Sequence, residues 1–416
     1  MKSLCRIKCV KCKTEYAQGA PCSCPRCGGP IEIDYDYEVI SKTISKQKLM
    51  AREPGVWKYG ELLPVQGPSK VTIGEGGTRL VKSERLAKTV GLRNLFIKNE
   101  TENPTGSFKD RCSTVTISKA IEARASGVVV ASSGNAAASA CAYSTQAGIP
   151  CYVFVPPETS VGKLVRIDIF GGRARRVSGP VENCLAMAEQ VSKKHGWVNV
   201  TTNSKANPYA LEGTKTASYE VSEALQWESP DYFALPVGGG ACFSGHWKGL
   251  RDLSKLGFIE RMPHLIAVQS AGCAPFATAI RAGLGVEGVR TWENPKTIAS
   301  GITDAFPTDG KGAYEAIRDT GGLAEIVTDS EIIEAQVLLA RKEGIFAEPT
   351  GAVSLAGLIK LFRSGQIDAS DVVACEITGH GLNDIEPTAA RIGEVPEIQP
   401  TLEDFERSLA GNQSRS

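Results

Sequence analysis

One lysine of this chain stands in a sequence setting that suits imine chemistry. Lys109 belongs to the segment 103–111, which reads Asn-Pro-Thr-Gly-Ser-Phe-Lys-Asp-Arg and begins with residues typical of turns. An apolar run at 95–97 predicts a buried strand before it, and 112–123 predicts a helix after it. Asp110 would lie near the positive N-terminal end of that helix. A lysine amine at such a strand-to-helix junction is placed to attack a carbonyl carbon, although most lysines are only surface charges.

A second segment, residues 132–135, reads Ser-Ser-Gly-Asn and lies between an apolar run and an alanine-rich stretch. A helix that begins there would offer free N–H groups to an anion, and Asn135 could hydrogen-bond a phenolate oxygen or a substrate carboxylate. Gly134 allows a strained turn in front of the helix. An ordinary helix cap is the alternative. The candidate substrate-binding residues of this segment are Ser132, Ser133 and Gly134.

A third segment, residues 236–245, reads Pro-Val-Gly-Gly-Gly-Ala-Cys-Phe-Ser-Gly and directly follows an apolar run. Consecutive glycines allow backbone amides to converge on a phosphate group at the start of the next helix. The spacing matches neither a dinucleotide-binding fingerprint nor a P-loop, and an ordinary loop remains the alternative. The candidate phosphate-binding residues are Gly238, Gly239, Gly240, Ala241 and Cys242.

The fourth segment, residues 376–382, reads Glu-Ile-Thr-Gly-His-Gly-Leu and again follows an apolar run. Thr378 would place a hydroxyl group at the carboxyl end of a parallel sheet, where ligands bind. His380 could act as a general base, but a role in stabilising the loop is the favoured interpretation.

Together these four segments resemble those of the fold-type II pyridoxal-phosphate enzymes and, more narrowly, of the threonine synthases. The resemblance covers the chain after about residue 60. It implies that Lys109 carries the cofactor as an imine and then serves as the base at the substrate Cα. It also implies that Asn135 bonds the pyridoxal 3′-oxygen, that residues 238–242 cradle the phosphate, and that Thr378 meets the pyridine nitrogen. The implied reaction converts O-phospho-L-homoserine and water into L-threonine and phosphate.

Several positions differ from the usual threonine synthase pattern. Ala136 stands where threonine is usual, Ala210 replaces an arginine of an Asn-Pro-x-Arg motif, and the triple-glycine loop is closer to that of serine/threonine dehydratases. A threonine/serine ammonia-lyase or a specialised amino-acid synthase of the same fold therefore remains the alternative. The further candidate substrate-binding residues are Lys98, Lys163 and Asn207, and Arg166 and Lys205 are additional cations that could meet a phosphate.

Six of the 13 cysteines lie in the first 27 residues. Cys9 and Cys12 form one Cys-x2-Cys pair, and Cys24 and Cys27 form another, which predicts a structural zinc site with four thiolate ligands. Cys5 and Cys22 are alternative ligands. A disulfide cluster is the competing interpretation, but no secretion signal precedes these residues.

The alternation of apolar strands with helices predicts an α/β enzyme with parallel sheets covered by helices, and the resemblance implies two such sheets, open and twisted, with a small zinc-ribbon-like segment in front. A net charge of +1 and the lack of a long apolar run argue against nucleic-acid or membrane partners, and we expect a cytoplasmic protein. The resemblance also implies a homodimer and a small-molecule amino-acid substrate. A zinc-ribbon binding protein with a degenerate enzyme body is disfavoured by the four segments.

The proline-punctuated residues 38–70 predict a linker followed by a helical start. The predicted units are 1–37 (ribbon), 38–102 with 206–405 (large cofactor-binding domain), 103–205 (small mobile domain) and 406–416 (polar tail).

Overall fold

The computed structural model describes residues 4–16, 23–65, 67–390, 395 and 397–412. Cys22, one of the alternative zinc ligands, lies outside the described residues. The strands of the described chain, in sequence order, are β1 (Cys5–Cys9), β2 (Glu15–Tyr16), β3 (Ile31–Tyr35), β4 (Leu80–Lys82), β5 (Asn94–Asn99), β6 (Val128–Ala131), β7 (Cys151–Val155), β8 (Arg173–Arg176), β9 (Val198–Asn199), β10 (Tyr232–Pro236), β11 (His264–Ser270), β12 (Leu323–Val327) and β13 (Val372–Ile377).

These strands form three sheets. The largest has six strands in the order β12-β11-β10-β13-β5-β4, and only the short edge strand β4 runs antiparallel to its neighbour. The second is a parallel sheet in the order β8-β7-β6-β9. The third is a small antiparallel sheet in the order β2-β1-β3. In the largest sheet β13, which follows all the other strands along the chain, lies between β10 and β5.

The α-helices of the described chain are α1 (Tyr37–Ile40), α2 (Lys46–Met50), α3 (Glu84–Val90), α4 (Lys109–Glu122), α5 (Asn135–Gln146), α6 (Val161–Ile169), α7 (Val181–His195), α8 (Ala210–Thr214), α9 (Thr216–Ala224), α10 (Ala241–Lys255), α11 (Pro275–Arg281), α12 (Gly310–Thr320), α13 (Asp329–Glu343), α14 (Pro349–Arg363), α15 (Glu386–Ala389) and α16 (Leu402–Asn412). Short 3₁₀ helices cover Val56–Leu62, Glu100–Glu102, Val286–Gly288, Ser300–Ile302 and Gly381–Asn383. No helix among the described residues is long and apolar enough to cross a membrane.

Helices cover both faces of the six-stranded sheet, because its central strands are apolar on both sides. Successive residues of β10 point into different cores: Phe233 and Leu235 pack in one with α10 and α12, while Ala234 packs in the other with α13 and α14. The strands of the second sheet lie within residues 103–205, the range of the predicted small domain.

The prediction of a linker after residue 37 is wrong for the segment that forms α1, α2 and the first 3₁₀ helix. Ile40, Leu49 and Leu62 are fully buried in the core on the α10 face. The hydroxyl group of Tyr59 donates a hydrogen bond of 2.7 Å to Glu223. Apolar residues at intervals of a few positions therefore bind this segment to the body despite its prolines.

Candidate active site

The loop that leads to Lys109 and the loop that contains Thr378 are joined by backbone hydrogen bonds. The amide of Phe108 donates to the carbonyl oxygen of Thr378 at 3.0 Å, and the amide of His380 donates to that of Gly106 at 2.8 Å. Gly106 has φ +75°, a left-handed conformation that favours glycine. The two loops therefore form one surface at the carboxyl edge of the large sheet.

Lys109 is the first residue of α4, as the sequence predicted for a strand-to-helix junction. Its ammonium nitrogen lies over the ring of Phe108, 4.3 Å from the ring centroid. Its positive charge also acts on the thiol of Cys242 and the carboxyl group of Asp304, which places these groups in its neighbourhood. The side chain is only partly buried, so a ligand can reach it.

Asp110, next to Lys109, anchors the first turn of α4 rather than facing the solvent. Its carboxylate accepts hydrogen bonds from the Thr105 amide at 2.7 Å and from the hydroxyl groups of Thr105 and Ser139 at 2.6 Å. Burial raises the pKa of Asp110 to about 6, although these hydrogen bonds favour the ionised form. Asp110 thus fixes the turn before the lysine.

The glycine loop connects β10 to α10, and the carboxyl group of Asp304 lies against it. A Cβ atom added to Gly238 would be 2.4 Å from Oδ2 of Asp304, and Gly240 has φ +97°. Burial raises the pKa of Asp304, while the Gly239 backbone amide and the Lys109 charge favour its ionised form. Because the amides of this loop stabilise a carboxylate, they also suit a phosphate group.

The hydroxyl group of Thr378 is buried at the end of β13 and has no hydrogen-bond partner in the structure. A buried hydroxyl group without a partner costs free energy. A ligand nitrogen that accepts its proton would remove this cost. The site residues present therefore fit pyridoxal phosphate at both of its ends, through the glycine loop and through Thr378.

Asn135 begins α5 and lies between two charged side chains. Its Nδ2 donates to Glu348 at 2.7 Å, and its Oδ1 accepts from Arg166 at 2.9 Å. Gly134, which could allow a strained turn, has φ −108°, outside the left-handed region that favours glycine, and an added Cβ atom would meet no described atom within 4 Å. Ser132 and Ser133 lie half-buried beside it. The open space over Gly134 leaves room for a substrate at the start of α5.

Glu348 was not found from the sequence, yet it is the buried partner of Asn135. Burial, and to a smaller degree the negative charge of Asp384, raise the pKa of Glu348 to about 7. A carboxyl group with a raised pKa binds its proton more tightly in the folded protein than in the unfolded chain. The stability that it contributes therefore falls as the pH rises from its ordinary value towards about 7.

We expect the substitution Glu348→Gln, which keeps the neutral hydrogen-bonding shape, to remove this pH dependence. The difference in unfolding free energy between the variant and the wild type should grow by about 3 kcal/mol between roughly pH 5 and roughly pH 8. Urea unfolding followed by tryptophan fluorescence measures it. The exposed Glu334→Gln substitution serves as the control, and a difference that is constant with pH would contradict the raised pKa of Glu348.

Two predicted substrate-binding residues have other roles. Lys98 is fully buried, and its ammonium group donates to the carbonyl oxygen of Thr78 at 2.6 Å and to Glu220 at 2.5 Å. The side-chain amide of Asn207, also buried, donates to Thr116 at 3.1 Å and accepts from the Tyr209 amide at 3.1 Å. These contacts do not support the predicted role of either residue in substrate binding, because both side chains are buried and hydrogen-bonded within the protein.

Lys163 and Arg166 lie on α6 and reach the loop after Thr378. Lys163 is 3.1 Å from the Ser300 hydroxyl group and 3.4 Å from the Asp384 carboxylate. Arg166 also donates to the carbonyl oxygens of Thr105 and Asn383. His380 accepts a hydrogen bond from the Leu382 amide at 3.1 Å, in agreement with a loop-stabilising role.

The predicted zinc ligands lie together at the small antiparallel sheet. The sulfur atoms of Cys9, Cys12, Cys24 and Cys27 lie within 4.8 Å of one another, and Cys9–Cys27 and Cys12–Cys24 are each 3.5 Å apart. Cys5, the other described candidate, is buried on β1 and is not part of this group.

Comparisons with known proteins agree with this geometry. A model of the family described as "Pyridoxal-phosphate dependent enzyme" matches residues 71–379. The chain is 41% identical to threonine synthase of Methanocaldococcus jannaschii, over 94% of this chain and 95% of that protein. It is 38% identical to threonine synthase of Methanosarcina acetivorans, over the same shares of both chains.

Solved structures at lower sequence identity share the fold. Maize serine racemase superposes with a TM-score of 0.63 at 23% identity, covering 81% of this chain and 92% of that chain. Diaminopropionate ammonia lyase from Escherichia coli superposes with a TM-score of 0.64 at 17% identity, covering 76% and 87%. Lys109, the glycine loop and the buried, unpartnered hydroxyl group of Thr378 lie at one edge of the large sheet. This chain belongs to the pyridoxal-phosphate-dependent enzymes of fold-type II and, among them, to the threonine synthase family.

Proposed function

We propose that this protein is a threonine synthase, which converts O-phospho-L-homoserine and water into L-threonine and phosphate. The observation that carries the proposal is that Lys109, the glycine loop and Thr378 meet at one edge of a chain that aligns almost end to end with a threonine synthase. Pyridoxal phosphate, when bound, supplies an electron sink for the substrate Cα. The residues that would hold it are Lys109, Asn135, Gly238, Gly239, Gly240, Ala241, Cys242 and Thr378.

The protein's own groups position the substrate and move its protons. The Lys109 amine takes the proton from the substrate Cα, since it is the reachable basic group next to the glycine loop. The hydroxyl groups of Ser132 and Ser133 and the N-terminus of α5 receive the substrate carboxylate. Thr378 offers a hydroxyl group rather than a carboxylate to the ring nitrogen, so it does not supply a full charge there. This setting favours elimination and replacement reactions.

Lys163 and Arg166 are the cations that we assign to the substrate phosphate. All three acceptors described for Arg166 are uncharged oxygen atoms, so none of its described hydrogen bonds pairs it with a carboxylate, although the nearby Glu348, Asp110 and Asp384 favour its charged form. The Lys163 side chain is 19% exposed and turns towards the same loop. Both side chains lie on the face of α6 that meets Asn135 and Asp384, beside the cofactor-binding groups.

We expect Arg166→Gln to raise the KM for O-phospho-L-homoserine by on the order of 10- to 100-fold, because a charge-assisted hydrogen bond is worth about 1.5–3 kcal/mol. Steady-state kinetics with phosphate detection measures the change. Arg175→Gln, on an exposed part of the same region, is the matched control and should leave the KM unchanged. An unchanged KM in Arg166→Gln would place the phosphate elsewhere.

A threonine/serine ammonia-lyase is the second candidate, and two alanines favour it. Ala136 and Ala210 are both buried, so neither position offers a polar group to a phosphate ester. Incubation of the enzyme with O-phospho-L-homoserine, L-threonine and L-serine in separate reactions distinguishes the two functions. Phosphate release together with threonine formation supports the synthase, and 2-oxo acid formation without phosphohomoserine turnover supports the lyase.

We also propose that the four cysteines of the ribbon bind a structural zinc ion. Four sulfur atoms at this spacing match a closed tetrahedral site, which leaves no position for a substrate. The ribbon is bound to the body through the Tyr35 hydroxyl group, which donates to Glu212 at 2.6 Å, and through Lys248, which donates to the Ile33 carbonyl oxygen at 2.6 Å. The zinc ion would then stabilise the surface that covers α10.

For the ribbon we expect Cys24→Ser to lose about one equivalent of zinc per chain and to expose the small sheet to proteolysis. Metal analysis by mass spectrometry and limited trypsin digestion measure both effects. Cys184→Ser, a buried cysteine of the second sheet's core, is the control and should keep the metal. A wild-type protein purified without zinc in the ribbon, and unable to take it up, would contradict the assignment.

The remaining proposals concern the whole molecule. The resemblance to fold-type II enzymes supports a homodimer in the cytoplasm that uses a small amino-acid substrate, and analytical ultracentrifugation tests the dimer. Residues 103–205 would form the small mobile domain, with 38–102 and 206–405 as the large domain. Hydrogen exchange with and without substrate tests this division, since closure should protect α6.

A further inference from the structure

A second group of metal-binding side chains lies next to the glycine loop and is distinct from the ribbon. Cys242 and His246 are one helical turn apart on α10, and Glu376 lies on β13. Potential ligand atoms of the three residues all lie within 4.8 Å of one another. Oε2 of Glu376 is 2.7 Å from Nε2 of His246, and its Oε1 is 3.9 Å from the Cys242 sulfur atom.

The hydrogen bonds of Ser218 determine which nitrogen of His246 carries a proton. The Ser218 hydroxyl group donates its single proton to the carbonyl oxygen of His246 at 3.1 Å, because a carbonyl oxygen can only accept. The same oxygen atom is 2.8 Å from Nδ1 of His246, and it accepts the Nδ1 proton in the one tautomer that keeps both hydrogen bonds. In the neutral imidazole, Nε2 then carries a lone pair. A hydrogen bond to the second ring nitrogen is the usual support of a metal-binding histidine.

The Nε2 lone pair and the Glu376 carboxylate face each other without a bond between them. Both side chains are fully buried, and among the described residues Nε2 and Oε2 have no hydrogen-bond partner of acceptable geometry. Two acceptors in a buried site repel each other unless a cation lies between them. Either a proton or a metal ion can fill this role.

We propose that Cys242, His246 and Glu376 bind a divalent transition-metal ion, of which zinc matches the sulfur, nitrogen and oxygen ligands best. A thiolate and a carboxylate together neutralise the two positive charges, so the buried site carries no net charge. Three protein ligands leave a fourth position open. Cys242 is the partly exposed member of the three, so the ion enters from the side of the glycine loop.

The test compares zinc content in the purified holoenzyme and in variants of the full chain, after dialysis against zinc and then against buffer. We expect about two equivalents per chain in the wild type, one in the ribbon and one in this site, and about one in Cys242→Ser and in Glu376→Gln. The matched control Cys184→Ser should keep about two. Glu376→Gln is nearly isosteric, so it keeps the test valid if Cys242→Ser does not fold.

Cobalt substitution separates the two sites by their sulfur ligands. In Cys24→Ser, which lacks a complete ribbon, Co²⁺ should still give a charge-transfer band of the intensity expected for one thiolate, and this band should vanish when Cys242→Ser is added. The proposal is overturned if the wild type holds only the metal that Cys24→Ser removes. It is also overturned if any second equivalent persists unchanged in both Cys242→Ser and Glu376→Gln, since a proton then occupies the space between His246 and Glu376.

Discussion

Replacing Lys109 by alanine should abolish both covalent attachment of the cofactor and turnover. The variant should lose the visible absorbance of the bound cofactor, and kcat should fall by at least roughly 10²–10⁴-fold, the usual contribution of a general base alone. The reason is that the same amine is the attachment point and the base at the substrate Cα. Absorption spectroscopy, borohydride reduction followed by peptide mapping, and phosphate release measure the three properties.

Two controls make the Lys109 result specific. Lys109→Arg keeps a positive charge near the Phe108 ring but has no primary amine, so it should behave like the alanine variant. Lys88→Ala, which removes an exposed lysine of α3, should keep the wild-type spectrum and activity. A borohydride-stable cofactor adduct that survives in Lys109→Ala would show that another lysine carries the cofactor.

Replacing Arg111 by leucine should cost about 3–5 kcal/mol of unfolding free energy, because it leaves buried carboxylates without their cation. Arg111 is fully buried, with Nε and Nη2 donating to Glu100 at 2.7 and 2.8 Å and Nη1 and Nη2 each donating to Glu220 at 2.7 Å. Lys98 is the remaining cation of this group. Urea unfolding measures the loss, and Arg363→Leu, which breaks an exposed pair with Glu334, should cost less than about 1 kcal/mol.

The same network predicts how stability depends on pH. The positive charge of Arg111 lowers the pKa of Glu100 and of Glu220 in the folded protein, against the effect of burial. Groups with a depressed pKa stabilise the fold above their ordinary pKa, and this contribution is lost as the pH falls below it. The wild type should therefore lose stability steeply in acid, and Arg111→Leu should show a weaker dependence. Parallel pH profiles would contradict the role of Arg111.

Much of the scaffold follows from local sequence patterns. The apolar runs at 95–97, 128–131 and 232–235 are strands because parallel strands buried on both faces need apolar side chains at every position. The helices that begin at Lys109, Asn135 and Ala241 follow from the turn residues before them. By contrast, β12 escaped prediction, since the buried Glu325 interrupts the apolar run of Leu323–Val327.

The partners of the site residues could not be predicted in the same way. Glu348 lies 213 residues from Asn135, and Pro349 at the start of α14 is its only local signal, which indicates a helix boundary but not a partner. Lys98 reads as a free cation in the sequence because Glu220, its partner, lies 122 residues away. Residue patterns report which face is buried, whereas long-range polar contacts depend on how the strands are ordered in the sheet.

The position of β13 between β10 and β5 has a consequence for synthesis on the ribosome. Every other strand of the large sheet emerges earlier. Until residues 372–377 arrive between them, β5 and β10 each have one edge without a strand partner. Between the synthesis of β10 and that of β13, the nascent chain would therefore present two apolar strand edges that could pair with other chains. Completing the sheet from its middle would therefore expose chains that terminate before residue 372 to aggregation and to binding by chaperones.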